Sequence, residues 1–368
     1  MKIKYPDYNN SILNIANSVL KHFEAKYTHD TLPEVDSVLS GNYKNVVVMV
    51  FDAMGSFNMK DVLDEHSFLM KHKVKDITSV YPPTTTAATT TLQSGLMPSE
   101  HSWLGWSLRF DEVNDNVNIF INTNDNGETV ADYHVASKYI PYKDIVDKIN
   151  ETGNAEAFSV SPFGTYKVER FEELIEGVKK ICNEEGRRYI YTYWPQPDSS
   201  MHKKGIHSSE VKYWINRINN EVKKLSMELK DTLIIVTADH GHIDGENYLI
   251  SDYKDITDTL KWMPSIEPRS LSFFVKDGMD EQFRQAFNKH FGKDFVLFSK
   301  KEVIEKGLFG KGVPHSRFEG FVGDYIAAAV TNKSVFVNEE EYKTIKGVHA
   351  GLTEEEMTVP LIIIECQR

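Results

Sequence analysis

The sequence is poor in cysteine, has no long apolar run and has no cluster of basic residues, and each lack narrows the class of protein. Cys182 and Cys366 are the two cysteines, and their wide separation does not indicate a disulfide framework. No run approaches the roughly 18 apolar residues that a membrane span needs. Lys and Arg number 42 against 54 for Asp and Glu, a net charge of −12, which argues against bulk binding of nucleic acid.

The start of the chain lacks the features of a secretory signal. It contains no long uninterrupted apolar segment and no small-residue cleavage site, and its pattern is that of a capped helix. We therefore expect an unprocessed, cytoplasmic protein. The composition, 40% hydrophobic and 26% charged over 368 residues, is that of a globular enzyme with a large core. No feature of the sequence specifies an oligomeric state.

Apolar runs alternate with amphipathic stretches along most of the chain. Runs that are apolar throughout are typical of strands buried on both faces of a parallel sheet. They cover residues 45–52, 188–194, 232–239, 270–275, 324–330 and 359–365. Helical spacing of apolar residues occurs between them, at 171–185, 209–229 and 281–291. The sequence therefore predicts an α/β fold with a mostly parallel central sheet and helices on both faces.

Two segments do not fit this alternation. Residues 104–136 are polar and rich in Asn and Asp, and residues 242–320 begin with a stretch that mixes tyrosines, prolines and a tryptophan. We find no internal repeat and no low-complexity linker. We therefore expect both segments to be insertions beside the sheet of a single catalytic domain that spans residues 1–368.

Acidic and histidine side chains follow three of the predicted strands. Asp52 ends one strand, and Asp239 and His240 end another. Asp198 and His202 follow a third strand after a short turn. A lone aspartate at a strand end is more often a helix N-cap, but ligands of open α/β sheets bind at this edge, and two Asp/His pairs favour metal ions. Carboxylate with imidazole suits zinc, with manganese or iron as alternatives, and paired metals indicate phosphoryl-type hydrolysis.

A threonine-rich segment lies ahead of a helix of small residues. Residues 79–102 contain Pro82 and Pro83 followed by a run of threonines, a pattern that predicts a strand, a tight turn and a helix N-terminus. A hydroxyl there would face backbone N–H groups and the positive end of the helix dipole, which favour a phosphate group. A metal contact would make that hydroxyl a nucleophile. The alternative is that the threonines only cap the helix and pack against it.

Five motifs occur in an order that resembles a known family. They are FDAMG (51–55), YPPTTTAATTTLQSGLMPSEH (81–101), PDSSMH (197–202), TADHGH (237–242) and GVHAGLTEEEMTVPL (347–361). Together they resemble the type I phosphodiesterase/nucleotide pyrophosphatase family of the alkaline phosphatase superfamily. The match spans nearly the whole chain, and the WLGW pattern at 103–106 looks like that of bacterial members.

The resemblance implies a site with two zinc ions, with Mn²⁺ as the alternative metal. One ion would be held by Asp52, Thr85, Asp239 and His240, and the other by Asp198, His202 and His349. Thr85 would also be the nucleophile and form a covalent phosphoryl-threonine. Its position is counted back from Leu92, and a shift by one residue would select Thr84 or Thr86. His242 is either a support for the metal site or an exposed residue.

The sequence departs from animal-type members of the family at the phosphate contact. Those enzymes carry an asparagine that hydrogen-bonds a phosphate oxygen, and Trp106 stands in its place here. Ser102 replaces the glycine after the motif histidine, and Thr84 replaces the lysine before the nucleophile. Trp103 and Trp106 could stack on a base or border an apolar leaving group, and packing against the sheet is the alternative.

The resemblance implies a two-metal hydrolase that cleaves phosphodiester or pyrophosphate bonds in a small substrate such as a nucleotide. A phosphomonoesterase or phosphonate hydrolase with the same site is the alternative. A sulfatase is disfavoured because Thr85 stands where such enzymes need Cys or Ser. A monoesterase is disfavoured because residues 79–106 offer no Lys or Arg for the additional phosphate charge. A non-catalytic metal-binding module would lack a ligand or the nucleophile, and every position is filled here.

Overall fold

The secondary structure follows the apolar patterns of the sequence closely. The structure is a computed structural model and describes residues 1–367. Its strands are β1 Asn45–Phe51, β2 Lys73–Thr78, β3 Ser107–Phe110, β4 Asp115–Asn118, β5 Glu156–Ser161, β6 Tyr166–Lys167, β7 Arg188–Trp194, β8 Thr232–Thr237, β9 Ile243–Asp244, β10 Glu246–Leu249, β11 Ser265–Glu267, β12 Ser270–Phe273, β13 Phe295–Ser299, β14 Tyr325–Ala329, β15 Lys333–Phe336, β16 Gly347–Val348 and β17 Thr358–Glu365.

The helices lie between these strands. They are α1 Ile12–His22, α2 Pro33–Leu39, α3 Ser56–Val62, α4 Phe68–His72, α5 Thr85–Ser94, α6 Pro98–His101, α7 Val135–Tyr139, α8 Ile145–Asn150, α9 Phe171–Asn183, α10 Asp198–Lys204, α11 Ser209–Glu228, α12 Lys254–Thr257, α13 Asp280–Phe291, α14 Lys300–Lys306, α15 Phe318–Val322, α16 Glu339–Thr344 and α17 Glu354–Met357, with a 3-10 turn at Ile250–Asp252. Among residues 1–367, no helix combines the length and the apolar character that crossing a membrane requires.

The larger sheet has the strand order β2–β17–β8–β1–β7–β5–β6. β17 is antiparallel to both of its neighbours, and the other strands run in one direction. β1 and β8 are buried along their whole length because packing covers both faces of the sheet. These observations confirm the predicted α/β fold with a mostly parallel central sheet.

A second sheet, with the order β13–β14–β12–β11–β3–β4, is antiparallel throughout. The apolar runs at 270–275 and 324–330 form β12 and β14 of this sheet, so their assignment to the parallel sheet is wrong. An apolar cluster lies on each side of β14, since Ile326 belongs to one cluster and Ala327 to the other. A continuous apolar run indicates burial on two faces and does not indicate strand direction.

The two predicted insertions supply most of this second sheet. β3 and β4 lie within residues 104–136, and β11, β12 and β13 lie within residues 242–320, whereas β14 follows that segment. The buried hydroxyl of Ser270, at the start of β12, donates to the Tyr81 hydroxyl at 2.7 Å and so joins the second sheet to the segment that precedes α5. The second sheet therefore lies against the start of α5.

The three central strands of the larger sheet end at one level. Phe51 of β1 pairs with Trp194 of β7, and Val50 pairs with Thr237 of β8. The segments that follow these strands therefore meet at a single edge, as expected for neighbouring parallel strands.

Candidate metal and active site

The carboxyl ends of β1, β7 and β8 bring three aspartates together. Asp52 follows β1 directly, and Asp239 follows β8 after one alanine. Asp198 begins α10 shortly after β7, and its backbone N–H donates to the Asp52 carbonyl at 3.1 Å. The acidic residues that the strand-end pattern selected are therefore neighbours in space.

The Thr85 hydroxyl lies beside the first group of predicted ligands. Thr85 is the first residue of α5, and its Oγ1 lies 3.4 Å from each carboxylate oxygen of Asp52. The same oxygen lies 3.2 Å from Nε2 of His240. Oδ2 of Asp239 lies 3.6 Å from that nitrogen. The four side chains that the family resemblance assigns to one metal are thus close together.

A second group surrounds Asp198. Its Oδ1 lies 3.3 Å from Nε2 of His202 and 3.9 Å from Nε2 of His349. His242 also lies in this group, with its Nε2 at 3.2 Å from the same oxygen. The sequence left open whether this residue supports the metal site or is exposed. One ligand atom from each of these four residues lies within 4.8 Å of the others. Asp198 also lies within this limit of Asp52 and His240, so the two groups adjoin.

Backbone carbonyls orient three of the histidines. Nδ1 of His202 lies 2.8 Å from the Gly347 carbonyl, and Nδ1 of His240 lies 2.9 Å from the Gly241 carbonyl. Nδ1 of His349 lies 3.2 Å from the carbonyl of Pro83. An Nδ1–H that donates to a carbonyl leaves the Nε2 lone pair directed at the carboxylates, which is the usual arrangement of metal-binding histidines.

Two carboxylates of this site have a buried oxygen that finds no hydrogen-bond donor in the described part of the chain. They are Oδ1 of Asp198 and Oδ2 of Asp239. The other oxygen of Asp239 accepts the backbone N–H groups of Ala53 and His240 at 3.1 and 3.0 Å. Buried carboxylate oxygens are costly unless a donor or a cation satisfies them, so the donor set of oxygens and imidazoles fits divalent metal ions.

The close packing of carboxylates and imidazoles shifts the pKa values of several side chains in the site. Burial and the nearby Asp52 carboxylate raise the pKa of Asp239 well above its usual range. Burial opposes a charge on His240, but Asp239 and Asp52 outweigh it and raise the pKa of this imidazole to about 10. Burial lowers the pKa of His349 well below its usual range, and the neighbouring His240 lowers it further. The site thus concentrates negative charge that a cation would neutralise.

Two further residues contact this site, and sequence reasoning did not identify either. The Tyr193 hydroxyl on β7 donates to Oδ2 of Asp52. Glu267 on β11 accepts hydrogen bonds through Oε1 from the Thr84 hydroxyl at 2.6 Å and from the Trp106 N–H at 2.8 Å. Burial raises the pKa of Glu267 to about 7, and these two hydrogen bonds oppose the shift. In the sequence, only the position of Tyr193 on a strand next to the predicted site could have indicated its contact with the site. No sequence feature indicated the contact made by Glu267.

A cavity of about 720 Å³ opens over these groups. Its floor includes Asp52, Thr85 and Asp198, and part of its wall is apolar. The apolar side chains that line it include Trp106, Phe120, Ile121, Phe163, Phe336 and Val337. Carboxylates line it as well, at Asp125, Asp144, Glu267 and Glu341.

Arg269 is the one Lys or Arg side chain among the described residues that line this cavity. Its guanidinium is fully buried and donates twice to Glu356, at 2.7 Å each, and also to the carbonyls of Thr331 and Lys333. Its charge is therefore already paired, and the cavity offers no free ammonium or guanidinium group within residues 1–367.

The two tryptophans proposed as substrate contacts occupy different environments. Trp106 is 37% exposed and lines the cavity. Trp103 is 6% exposed, belongs to the apolar cluster of the second sheet, and donates its Nε1–H to the Ile140 carbonyl at 2.8 Å. The structure favours the packing alternative for Trp103, and this side chain is absent from the described lining of the cavity.

Comparisons with known proteins identify the family of this chain and relatives with a similar fold. The sequence profile of the type I phosphodiesterase/nucleotide pyrophosphatase family matches residues 46–351. Murine ectonucleotide pyrophosphatase/phosphodiesterase 5 has a similar structure, with a TM-score of 0.66 at 17% identity over 86% of this chain and 87% of that chain. The human protein of the same name gives a TM-score of 0.66 at 17% identity over 87% of each chain.

A bacterial enzyme also shares the fold. Phosphonoacetate hydrolase from Sinorhizobium meliloti 1021, in complex with phosphonoformate, has a TM-score of 0.61 at 14% identity over 87% of this chain and 89% of that chain. No curated protein sequence matches at a significant level. The family profile covers most of the chain, and the chain therefore belongs to the type I phosphodiesterase/nucleotide pyrophosphatase family of hydrolases.

Proposed function

We propose that the protein is a two-metal phosphodiesterase that cleaves a small phosphodiester or pyrophosphate through a phosphoryl-threonine on Thr85. The observation that carries this proposal is the position of the Thr85 hydroxyl, 3.4 Å from Asp52 and 3.2 Å from His240. The murine relative has also been solved in complex with AMP, as an inactive variant in which alanine replaces a threonine. The inactivity of that variant supports a catalytic threonine in this chain as well.

The proposed ligand sets follow the two groups of side chains. Asp52, Thr85, Asp239 and His240 would hold one ion, and Asp198, His202 and His349 the other. Zinc is the proposed metal, with Mn²⁺ as the alternative, because imidazole and carboxylate ligands suit both. When bound, such ions supply Lewis acidity that acidifies a hydroxyl and stabilises charge on phosphate oxygens.

The residues of the chain supply the positioning. The hydroxyl of Thr85 gives up its proton and attacks phosphorus in line, and a Thr85 Oγ1–P bond forms. The bond from phosphorus to the leaving oxygen breaks, and that oxygen takes up a proton and departs as an alcohol. Water then cleaves the phosphoryl-threonine and restores the hydroxyl. The backbone N–H groups and the dipole at the start of α5, a ten-residue helix, favour the phosphoryl oxygens.

The charges of the cavity favour a diester. A phosphomonoester or a nucleoside polyphosphate carries negative charge beyond that of a diester, and such charge needs Lys or Arg partners. The described part of the cavity offers only Arg269, which is paired with Glu356, and it adds the carboxylates of Asp125, Asp144 and Glu341. The apolar wall, which includes Trp106, suits an uncharged leaving group. A nucleoside monophosphate esterified to an uncharged alcohol is one such diester.

The likeness to phosphonoacetate hydrolase favours a second candidate, a phosphonate hydrolase with the same site. Phosphonoacetate carries a carboxylate next to its phosphonate, and this group would also need a cationic partner. The same lack of a free cation that disfavours monoesters disfavours this substrate. The cytoplasmic location predicted above remains a proposal.

The proposal is tested by comparing substrates and threonine variants of the metal-loaded protein. We expect bis-p-nitrophenyl phosphate to be hydrolysed with a higher kcat/KM than p-nitrophenyl phosphate or phosphonoacetate. Thr85→Ala should lower kcat by at least about 10³-fold and retain its metal content, because the nucleophile is lost and most ligands remain. Thr86→Ala is the matched control and should stay active. Preference for phosphonoacetate, or normal turnover by the Thr85 variant, would reject the proposal.

A further inference from the structure

His242 is a buried histidine whose ring has no hydrogen-bond partner in the described part of the chain. Its side chain is 1% exposed, and both Nδ1 and Nε2 lack a partner. An imidazole in this condition loses the hydration of both nitrogens without forming a well-aligned hydrogen bond in return, which is energetically costly. Buried polar groups of this kind call for a partner such as an ordered water or an ion.

The nitrogen Nε2 of His242 lies close to an oxygen in the same condition. It lies 3.2 Å from Oδ1 of Asp198, and that oxygen also lacks a hydrogen-bond donor. His202, a predicted ligand, has Nε2 at 3.3 Å from the same oxygen. Two atoms bound to one zinc ion at roughly 2.0–2.1 Å in tetrahedral geometry are about 3.3 Å apart. The spacing of His242 from Asp198 is thus that of two ligands of one ion.

Contacts with Asn58 and Gly347 fix the position of His242. The Asn58 side chain accepts the His242 N–H at 3.0 Å and donates to the His242 carbonyl at 2.9 Å. Gly347 lies against the ring, where a Cβ atom would come within 2.7 Å of Cε1 of His242. The carbonyl of Gly347 also lies 2.8 Å from Nδ1 of His202. One glycine thus makes room for one ring and orients the other.

We propose that His242 is a fourth protein ligand of the ion held by Asp198, His202 and His349, an inference that rests on the proposed function for the presence of that ion. This site then has three imidazoles and one carboxylate, a nitrogen-rich set that suits Zn²⁺. The ion bound here is accordingly the harder of the two to remove.

The test compares metal binding by the full chain and its variants. Zinc is titrated against a chromophoric chelator, and bound zinc per chain is measured by mass spectrometry. The wild type should bind two equivalents. His242→Ala should weaken one site by more than about 100-fold, beyond the 10–100-fold loss typical of a residue that only supports a ligand. His349→Ala is the reference for loss of a ligand, and His207→Ala, at an exposed histidine paired with Asp61, is the control.

Two further readouts separate a ligand from a support. The visible spectrum of the Co²⁺-loaded protein should change in His242→Ala as it does in His349→Ala, because both remove a nitrogen from the ion. His242→Gln places a polar side chain without an imidazole nitrogen at this position, and it should not restore affinity. Recovery of affinity in that variant, or binding of two equivalents by His242→Ala at wild-type strength, would overturn the inference. Failure of the wild type to bind two zinc ions would instead reject the proposed function.

Discussion

At the scale of single residues, Glu267 links the second sheet to the nucleophile segment. Its Oε1 accepts hydrogen bonds from Thr84, the residue before the proposed nucleophile, and from the N–H of Trp106. The family resemblance implies that Trp106 occupies the position of the phosphate-binding asparagine of animal-type relatives. Glu267 therefore holds both the start of α5 and the segment that replaces that contact. Because burial raises the pKa of Glu267 to about 7, its charge changes in the physiological range.

This shift predicts a pH-dependent stability. A carboxyl whose pKa is higher in the folded protein stabilises the fold fully below its unfolded pKa, about 4.5, and that contribution is lost as pH rises through about 7. Glu267→Gln keeps the accepting Oε1 and removes the ionisation. The free energy of unfolding of the variant, relative to that of the wild type, should therefore rise by on the order of 2 kcal/mol as the pH increases from 5 to 8.

Thermal unfolding at both pH values measures this difference. The exposed Glu65→Gln is the matched control and should change the melting temperature little at either pH. A constant difference between Glu267→Gln and wild type across this range would contradict the prediction.

At the scale of elements, the short helix α17 connects the second sheet to the candidate metal site. The Glu356 carbonyl accepts the N–H of Gly241, which lies between His240 and His242. A Cβ atom at Gly241 would come within 1.9 Å of the Glu355 carbonyl oxygen, so only glycine permits this contact. The Glu356 side chain is fully buried and pairs with Arg269, immediately before β12. The ion pair thus positions α17, and α17 positions the loop after β8.

Breaking this ion pair should destabilise the fold strongly. Arg269→Met leaves the Glu356 carboxylate buried without its partner, and such loss costs about 3–5 kcal/mol. Arg269→Met combined with Glu356→Leu should recover much of this loss, because no unpaired charge stays buried. Urea unfolding of both variants and the wild type checks the prediction. A single variant within about 1 kcal/mol of wild type would show that the pair does not hold α17.

At the scale of the whole molecule, the proposed ligands come from segments distant in the chain. Asp52 follows β1, and His349 follows β16 near the end of the chain. A bound ion would therefore crosslink most of the fold. We propose that both sheets form one catalytic domain, because buried contacts such as Ser270 with Tyr81 join them and the cavity is lined by both.

Metal removal should consequently lower the stability of the entire chain. An ion that binds only the folded protein stabilises it by about 2.7 kcal/mol at a free concentration 100 times its Kd. Treatment with a chelator should lower the melting temperature in a single transition, and added Zn²⁺ should restore it. Calorimetry in the presence and absence of chelator measures the effect. A separate transition that is unaffected by the chelator would contradict the one-domain proposal.

The central strands and the residues at their ends follow from local sequence. β1, β7 and β8 match the apolar runs at 45–52, 188–194 and 232–239, and Asp52, Asp198 and Asp239 lie after them. Local pattern suffices here because a parallel strand buried on both faces has a distinctive composition, and its carboxyl end determines where the next residues lie. The family motifs added His349 and Thr85 to the predicted site. Residue spacing alone did not distinguish either residue from its alternatives.

The sequence by itself determined the class of fold, the family and the acids and imidazoles that converge at one edge of the sheet. Tertiary structure alone decided the antiparallel direction of β12 and β14, the burial of Trp103 away from the cavity, and the contacts of Glu267 and Tyr193 with the site. Each of these depends on which distant surfaces pack together. The spacing of apolar residues indicates that a residue is buried, but it does not indicate which part of the chain packs against it.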